Sequence, residues 1–308
     1  MKEKAFISII LYIYNNEKNI ENSILKIDQF LLSHFESAEI IILNNGSSDR
    51  SSERLKELHH LNKIKSKMTL VHLSWKHNKE VAMQAALDLA IGDFVYEIDN
   101  IPIDFSVSLL MELLQKANTG YDLVSAVAQK RKKVTSSLFY RLLKKLSSIE
   151  FELETEMVRL MSRRLINSIS TVKDKLRYRK VLYRYSGLPY AKVIYKPTKI
   201  ISIDTQPTKD RLELGFEVLF SYSQIGVRIS IYLSVIFLFG SLFSAGYTIY
   251  IYFSGIQVVQ GWTTTMALLS FGFSGIFLIM GLKSKYLSMI LNEIRTMPSY
   301  TIKSIERL

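Results

Sequence analysis

The hydrophobic and polar positions change period along the chain, and each change marks an element. Ala5–Tyr14 is rich in β-branched and aromatic residues, which predicts a strand; Glu17–Phe35 then repeats Ile20, Ile24, Ile27 and Leu31 at helical spacing. Glu39–Leu43 is a continuous apolar run of the kind found in strands buried on both faces. It ends in Asn44-Asn45-Gly46-Ser47-Ser48-Asp49, a turn whose last residues can cap a helix over Arg50–Leu61. Met68–Leu73 predicts a third strand, and Lys79–Ala90 a helix packing through Ala82, Ala85, Ala86 and Leu89. Phe94–Ile98 is a fourth strand, followed by a helix over Ser106–Lys116 and a strand over Leu123–Ala128. Strands alternating with helices predict an α/β fold, a doubly wound and mostly parallel sheet with helices on both faces. Such sheets bind ligands beyond the carboxyl ends of their strands, where Asn15, Asn45 and Asp99 emerge.

The pattern then changes character. Ser136–Ser147 sets Leu138, Leu142, Leu143 and Leu146 against Arg141, Lys144 and Lys145, which suits either a helix on a membrane surface or a domain helix with a solvated basic face. From Leu188 to Arg211 two short apolar runs read as irregular strands, and Leu212–Gln224 as an approach helix. Ile229–Leu282 contains no Asp, Glu, Lys, Arg or His. A charge-free run of that length fits two membrane spans, since one needs about 20 apolar residues. The spans fall at Ile229–Phe253 and near Thr263–Leu282, with Trp262 as an interfacial anchor. The expected organisation is a globular domain over residues 1–211, an interfacial helix over 212–228, two transmembrane helices over 229–282, and a tail over 283–308 that is helical and then polar.

Charge refines this picture. Arg228 precedes the first span and Lys283 and Lys285 follow the second, so the positive-inside bias puts both termini in the cytoplasm of a multi-pass protein of the cytoplasmic membrane. Between Val127 and Arg211 there are 21 Lys and Arg against 7 Asp and Glu, a net of +14; the whole chain is +12, so the remainder is −2. A basic region beside membrane spans points to membrane lipids or a lipid phosphate, and argues against nucleic acid. The chain has no cysteine, which excludes disulfides and fits a reducing compartment. Phe6–Tyr14 is short and runs into Asn15-Asn16-Glu17 with no small-residue cleavage site, so it reads as a first strand rather than a signal peptide.

The motifs, taken in order, resemble those of family-2 glycosyltransferases of GT-A fold. Within that family they look like the membrane-bound branch of dolichyl-phosphate mannose synthases and bacterial undecaprenyl-phosphate glycosyltransferases. Ser8-Ile9-Ile10 through Tyr14-Asn15-Asn16-Glu17-Lys18-Asn19-Ile20 resembles V-S-I-V-I-P-V-Y-N-E-E-x-N-I, and Ile40–Asp49 resembles I-I-I-V-D-D-G-S-S-D. His77-Asn78-Lys79-Glu80-Val81-Ala82 is similar to F-G-K-E-A-A, Ala90–Asp104 to A-R-G-D-x-V-V-x-x-D-A-D-L-Q-D, and Val158–Arg163 to F-R-L-M-S-R. Gly261-Trp262-Thr263-Thr264 and Pro298-Ser299-Tyr300 resemble G-W-T-S and R-P-x-Y.

The resemblance implies transfer of a sugar from a nucleotide sugar to a polyisoprenyl phosphate, with Mg²⁺ or Mn²⁺ neutralising the diphosphate. It implies Asp99, Asp104 and Glu154 as catalytic residues, with Asp99 also a metal ligand. Tyr14, Asn16, Asn45, Asp49 and Lys79 would contact the donor, and Arg131 and Arg159 the lipid phosphate. The chain departs from the motifs at polar positions. Asn16, Asn44 and Asn45 replace acids, Tyr12 replaces a proline, and Ile101 stands at the second acid of D-A-D. Asp99 with Asp104 would then hold the metal weakly, or Lys79 and a nearby arginine would neutralise the diphosphate without one. Asp104 has a second reading as the N-cap of the following helix. These departures leave two functions open, an active membrane-bound glycosyltransferase or a catalytically inactive relative acting as a membrane binding or partner subunit in glycan assembly. Homo-oligomerisation through the hairpin is open as well.

Overall fold

A computed structural model describes residues 2–129, 156–170, 179–198, 261–294 and 300–308, with isolated helical positions between 232 and 254. The expected helices over 136–147 and 212–224, and Arg131 and Glu154, lie outside the described residues. The chain divides into two compact units, one of residues 1–140, 151–207 and 297–308 and the other of 141–150 and 208–296.

The first unit is built on one eight-stranded sheet. Its strands are β1 (Ile7–Ile13), β2 (Ala38–Asn44), β3 (Lys67–Leu73), β4 (Phe94–Ile98), β5 (Leu123–Ala128), β6 (Glu156–Ser162), β7 (Tyr190–Tyr195) and β8 (Ile302–Arg307). They run in the order β7-β5-β6-β4-β1-β2-β3-β8. The central block β4-β1-β2-β3 is parallel, as the continuous apolar runs predict. The sheet is mixed overall, because β6 runs antiparallel to both β4 and β5, and β8 antiparallel to β3.

Helices α1 (Glu17–His34), α2 (Ser51–His60), α3 (Lys79–Leu89) and α4 (Ser108–Asn118) follow the first four strands. α5 (Arg163–Ser170) and α6 (Arg179–Tyr185) lie between β6 and β7. Two apolar layers result. One joins Ile20, Ile24 and Ile27 of α1 and Leu110 and Leu113 of α4 to Ile9, Leu11 and Tyr96. The other joins Ala82, Ala85 and Ala86 of α3 and Leu182 and Tyr183 of α6 to Ile10, Ile41 and Val95. Gly92 admits β4 to the sheet: a Cβ there would stand 2.6 Å from the Ser8 nitrogen and 2.8 Å from the Phe6 oxygen.

Three expectations change. The tail, expected to be helical and then polar, ends in a strand, β8. Its Ile302, Ser304 and Glu306 alternate with more exposed residues, the pattern of an edge strand with one neighbour. Asp104 does not cap α4, which begins at Ser108 with no side-chain cap. In the second unit, α7 (Trp262–Ile294) extends well past the predicted end of the second span. Among the described residues one helical stretch is long and apolar enough to cross a membrane, the 20 residues Phe271–Ile290.

Candidate functional site

The loops after β1, β2, β3 and β4 meet at the carboxyl edge of the parallel block, and the asparagines that replace acids knit them together. The Asn16 side chain accepts from the Tyr14 backbone N–H at 2.8 Å and donates to the Ile101 carbonyl at 3.1 Å. Asn44 donates to Ser52 Oγ at 2.7 Å and accepts from the Ser47 N–H at 2.9 Å. Asn45 donates to Tyr12 Oη at 3.0 Å and the His77 carbonyl at 2.8 Å, and accepts from the His77 N–H at 2.9 Å. Each amide uses the donor that an aspartate lacks. The substitutions are therefore internally matched, and they hold the loop before α3 against β2.

Asp49 works in the same way. Its Oδ2 accepts from the Glu17 N–H at 3.0 Å and its Oδ1 from the Ser51 N–H at 3.1 Å, joining the first turns of α1 and α2. Burial alone would raise its pKa, but the hydrogen bonds from Ser51 and Glu17 outweigh it and lower the value. The Tyr14 ring is half-buried at the same edge and carries the Lys76 ammonium 4.4 Å from its centroid.

Asp99 leaves β4 into a buried ion cluster. Glu97, on the same strand, is completely buried and lies directly opposite Arg159 in the antiparallel pairing of β4 and β6. Glu97 Oε1 accepts from both Arg159 Nη1 and Arg179 Nη1, and its Oε2 accepts from Tyr183 Oη at 2.5 Å. The same two guanidiniums reach outward to Asp99. Arg159 Nη2 lies 3.2 Å from Oδ2, and Arg179 Nη2 3.1 Å from Oδ1. Glu156 closes on Arg159 Nε at 2.6 Å, and Glu80 of α3 on Arg179 Nε at 3.1 Å. Both arginines are 1% exposed. Desolvation opposes their charge, but the surrounding carboxylates hold both guanidiniums firmly protonated. Desolvation likewise works against the Asp99 carboxylate, and Arg159, Lys79 and Arg179 overcome it, holding Asp99 well below the usual carboxylate range.

Arg159 is thus brought to Asp99 as a buried partner, not set out on an open basic surface. Glu97, Arg179, Glu80, Glu156 and Tyr183 are the members that motif reading missed. The signal was present: a glutamate inside the apolar run Phe94-Val95-Tyr96-Glu97-Ile98 needs a buried cation. Lys79, the first residue of α3, is half-buried beside the cluster. Its Nζ donates to Asn100 Oδ1 at 2.8 Å and stands 5.2 Å from the Tyr12 ring centroid. Burial lowers its pKa, and Asp99 nearby limits the fall. Asp104 is buried beyond the cis Ile101–Pro102 peptide, and its Oδ1 accepts from Tyr195 Oη at 2.8 Å.

These residues do not fit a divalent metal ion. A hard cation takes about six oxygen ligands, yet Asp99 presents one carboxylate with a guanidinium on each oxygen. Ile101, where a second acid would help, is packed into the apolar core. Among the described residues no group of three or more acidic or histidine side chains is arranged to hold a metal.

A mixed sheet with polar loops gathered at the carboxyl edge of its parallel block defines a GT-A-like glycosyltransferase domain. The sequence matches the family described as Glycosyl transferase family 2 over residues 8–168, and the chain belongs to that family. It is 26% identical over 304 residues to the uncharacterized glycosyltransferase YkcC of Bacillus subtilis, covering 96% of this chain and 93% of that one. It is 26% identical over 316 residues to the prophage bactoprenol glucosyl transferase homolog of Escherichia coli, covering 98% and 99%. Its fold is similar to that of glucosyl-3-phosphoglycerate synthase from Mycobacterium tuberculosis, with a TM-score of 0.50 at 20% identity over 71% of this chain and 80% of that one.

Proposed function

We propose that this glycosyltransferase moves a sugar from a nucleotide sugar to a polyisoprenyl phosphate at the cytoplasmic face of a membrane. The observation that carries the reading is collinearity from end to end with the bactoprenol glucosyl transferase homolog, which includes the apolar region after the sheet domain. In this reading the donor lies on the edge formed by Tyr14, Asn16, Asn45, Asp49 and Lys79. Asn16, Asn45 and Asp49 fix the loops, while Tyr14 and Lys79 face the nucleotide diphosphate. An oxygen of the acceptor phosphate attacks the anomeric carbon, the bond from that carbon to the diphosphate oxygen breaks, and the nucleoside diphosphate leaves with the electron pair. The acceptor is already an anion, so it needs positioning by cations more than a strong base. Arg131 and the basic sequence around it are suited to that task by charge, and Asp104 and Glu154 are kept as the further catalytic candidates.

Chain connectivity supports two membrane spans. β7 and β8 belong to one sheet, and the apolar region lies between them in sequence. A single crossing would separate β8 from β3, which favours an even number of crossings, and 54 charge-free residues accommodate two. The orientation then leaves residues 1–211 and the tail in the cytoplasm.

The test is turnover by the purified full chain in detergent. A nucleotide sugar from a panel of UDP and GDP sugars should be consumed only when polyisoprenyl phosphate is present. Asp99→Asn should lower the rate about tenfold or more, since it loosens two guanidiniums at the reacting edge. The amides at 16, 44 and 45 and the apolar Ile101 favour a second reading, an inactive relative serving as a binding or partner subunit. No turnover across the panel, with and without Mn²⁺, would select that second reading.

A further inference from the structure

We propose that the donor diphosphate binds this protein without a divalent metal ion: the Arg159–Arg179 pair occupies Asp99 in the metal's stead, and the Lys79 ammonium is the countercharge that meets the diphosphate. The inference rests on the donor-edge reading above and deepens it.

Three observations carry it. First, the side chains that would hold a dication are already committed. Asp99 holds a guanidinium on each oxygen, and those guanidiniums are fixed from behind by Glu97 and from the sides by Glu156 and Glu80. The arrangement is anchored in four elements, β4, β6, α3 and α6, so displacing either arginine would strand a buried charge. Second, the arginine pair cannot itself be the diphosphate site. Four carboxylates surround two guanidiniums, which leaves that group with a net formal charge of −2. An incoming diphosphate would be repelled unless another cation stood before it.

Third, such a cation is present. Lys79 projects from the first turn of α3, beside Asp99 and over the Tyr12 ring, and its hydrogen-bond acceptor is the neutral Asn100 amide. Among the described residues it forms no ion pair, so an ammonium with three donors holds one neutral acceptor. A half-buried cation with unused donors at a ligand edge is built for an anion. Lys76 stands on the Tyr14 ring at the same rim, where a second phosphate charge can be met. A metal-free site places fixed side-chain cations where negative charge develops on the leaving group, the electrostatic role that a dication would otherwise fill.

The experiment is calorimetric titration of the full chain in detergent with UDP and with GDP, in EDTA and again in excess MnCl₂. The expected result is that one of the two nucleotides binds, with a Kd in EDTA within about twofold of its value in Mn²⁺, well under one tenfold step of affinity. Mn²⁺ alone, followed by its electron paramagnetic resonance signal, should remain free. An affinity raised about tenfold or more by Mn²⁺ would overturn the metal-free site while leaving the donor edge in place. Absence of binding by both nucleotides under both conditions would overturn the donor edge and this inference together. Lys79→Met should weaken binding by about tenfold or more, as for loss of a charge-assisted hydrogen bond, and Lys79→Arg should retain most of it. Undiminished binding by a folded Lys79→Met protein would remove Lys79 from the site. Should that variant fail to fold, the wild-type comparison of EDTA with Mn²⁺ still decides the question.

Discussion

At the scale of single residues, Glu97 controls the site more than Asp99 does. Asp99 sits at the rim, whereas Glu97 is fully buried and binds both guanidiniums and the Tyr183 hydroxyl. Tyr183 stays a phenol because burial, and next the Glu97 charge, push its pKa up. Glu97→Gln keeps the shape and an acceptor but removes the charge between two buried arginines. Breaking a buried pair on one side destabilises by about 3–5 kcal/mol. In a domain of this size that lowers the thermal midpoint by about 6 to 20 degrees. A midpoint within about two degrees of wild type, in a variant that folds, would show that the guanidiniums are compensated by Glu80, Glu156 and Asp99 alone.

At the scale of elements, β8 is held to β3 by the ladder and to α2 by an ion pair. His72 of β3 is half-buried, with Nε2 3.5 Å from Glu306 of β8, and Glu306 also meets Lys56 of α2 at 2.7 Å. The His72 Nδ1 faces the Asn44 amide at 3.1 Å and accepts from it, so the ring is neutral in the fold. Desolvation lowers its pKa from 6.5, with Glu306 opposing the shift. The folded state therefore binds fewer protons than the unfolded chain just below that value. Stability is complete above about pH 6.5 and falls as the pH drops through it toward the lower folded pKa. Thermal midpoints measured across this window should decline with pH, and His72→Gln should flatten part of the decline. An equal slope in the variant would assign it to other groups. The same elements explain what could be read beforehand. The central parallel strands were legible because burial on both faces leaves an uninterrupted apolar run. β8 was not, because an edge strand with one neighbour keeps alternate polar residues and looks like a tail. Arg159 was legible as a motif but not as a buried ion. Only the register of β4 with β6 sets it opposite Glu97, and register is a tertiary property. The asparagines could be seen as departures from acids, but their use as donors depends on carbonyls and hydroxyls brought from other loops.

At the scale of the whole molecule, the sheet constrains the apolar region more strongly than hydropathy does. One described helical stretch passes as a span on length and composition, Phe271–Ile290, and taken alone it would put the chain's end across the membrane from its start. The pairing of β8 with β3 favours the proposed second crossing instead, because it sets Ile305 and Glu306 beside Val71 and Leu70. A β-strand cannot complete its ladder across a bilayer, whose hydrocarbon core is spanned only by helices and closed barrels. The natural absence of cysteine gives a direct test. Single cysteines at Ser254, in the proposed turn, and at Lys65 and Leu308, in the sheet domain, can be labelled in intact cells with a membrane-impermeant maleimide. Ser254→Cys should react from outside, while Lys65→Cys and Leu308→Cys should react only after the membrane is opened. Labelling of Leu308→Cys together with Ser254→Cys, and not of Lys65→Cys, would mean an odd number of crossings and a sheet without its eighth strand. Protection of all three would mean that the apolar pair enters the membrane without crossing it, leaving polyisoprenyl phosphate to be met from one leaflet only.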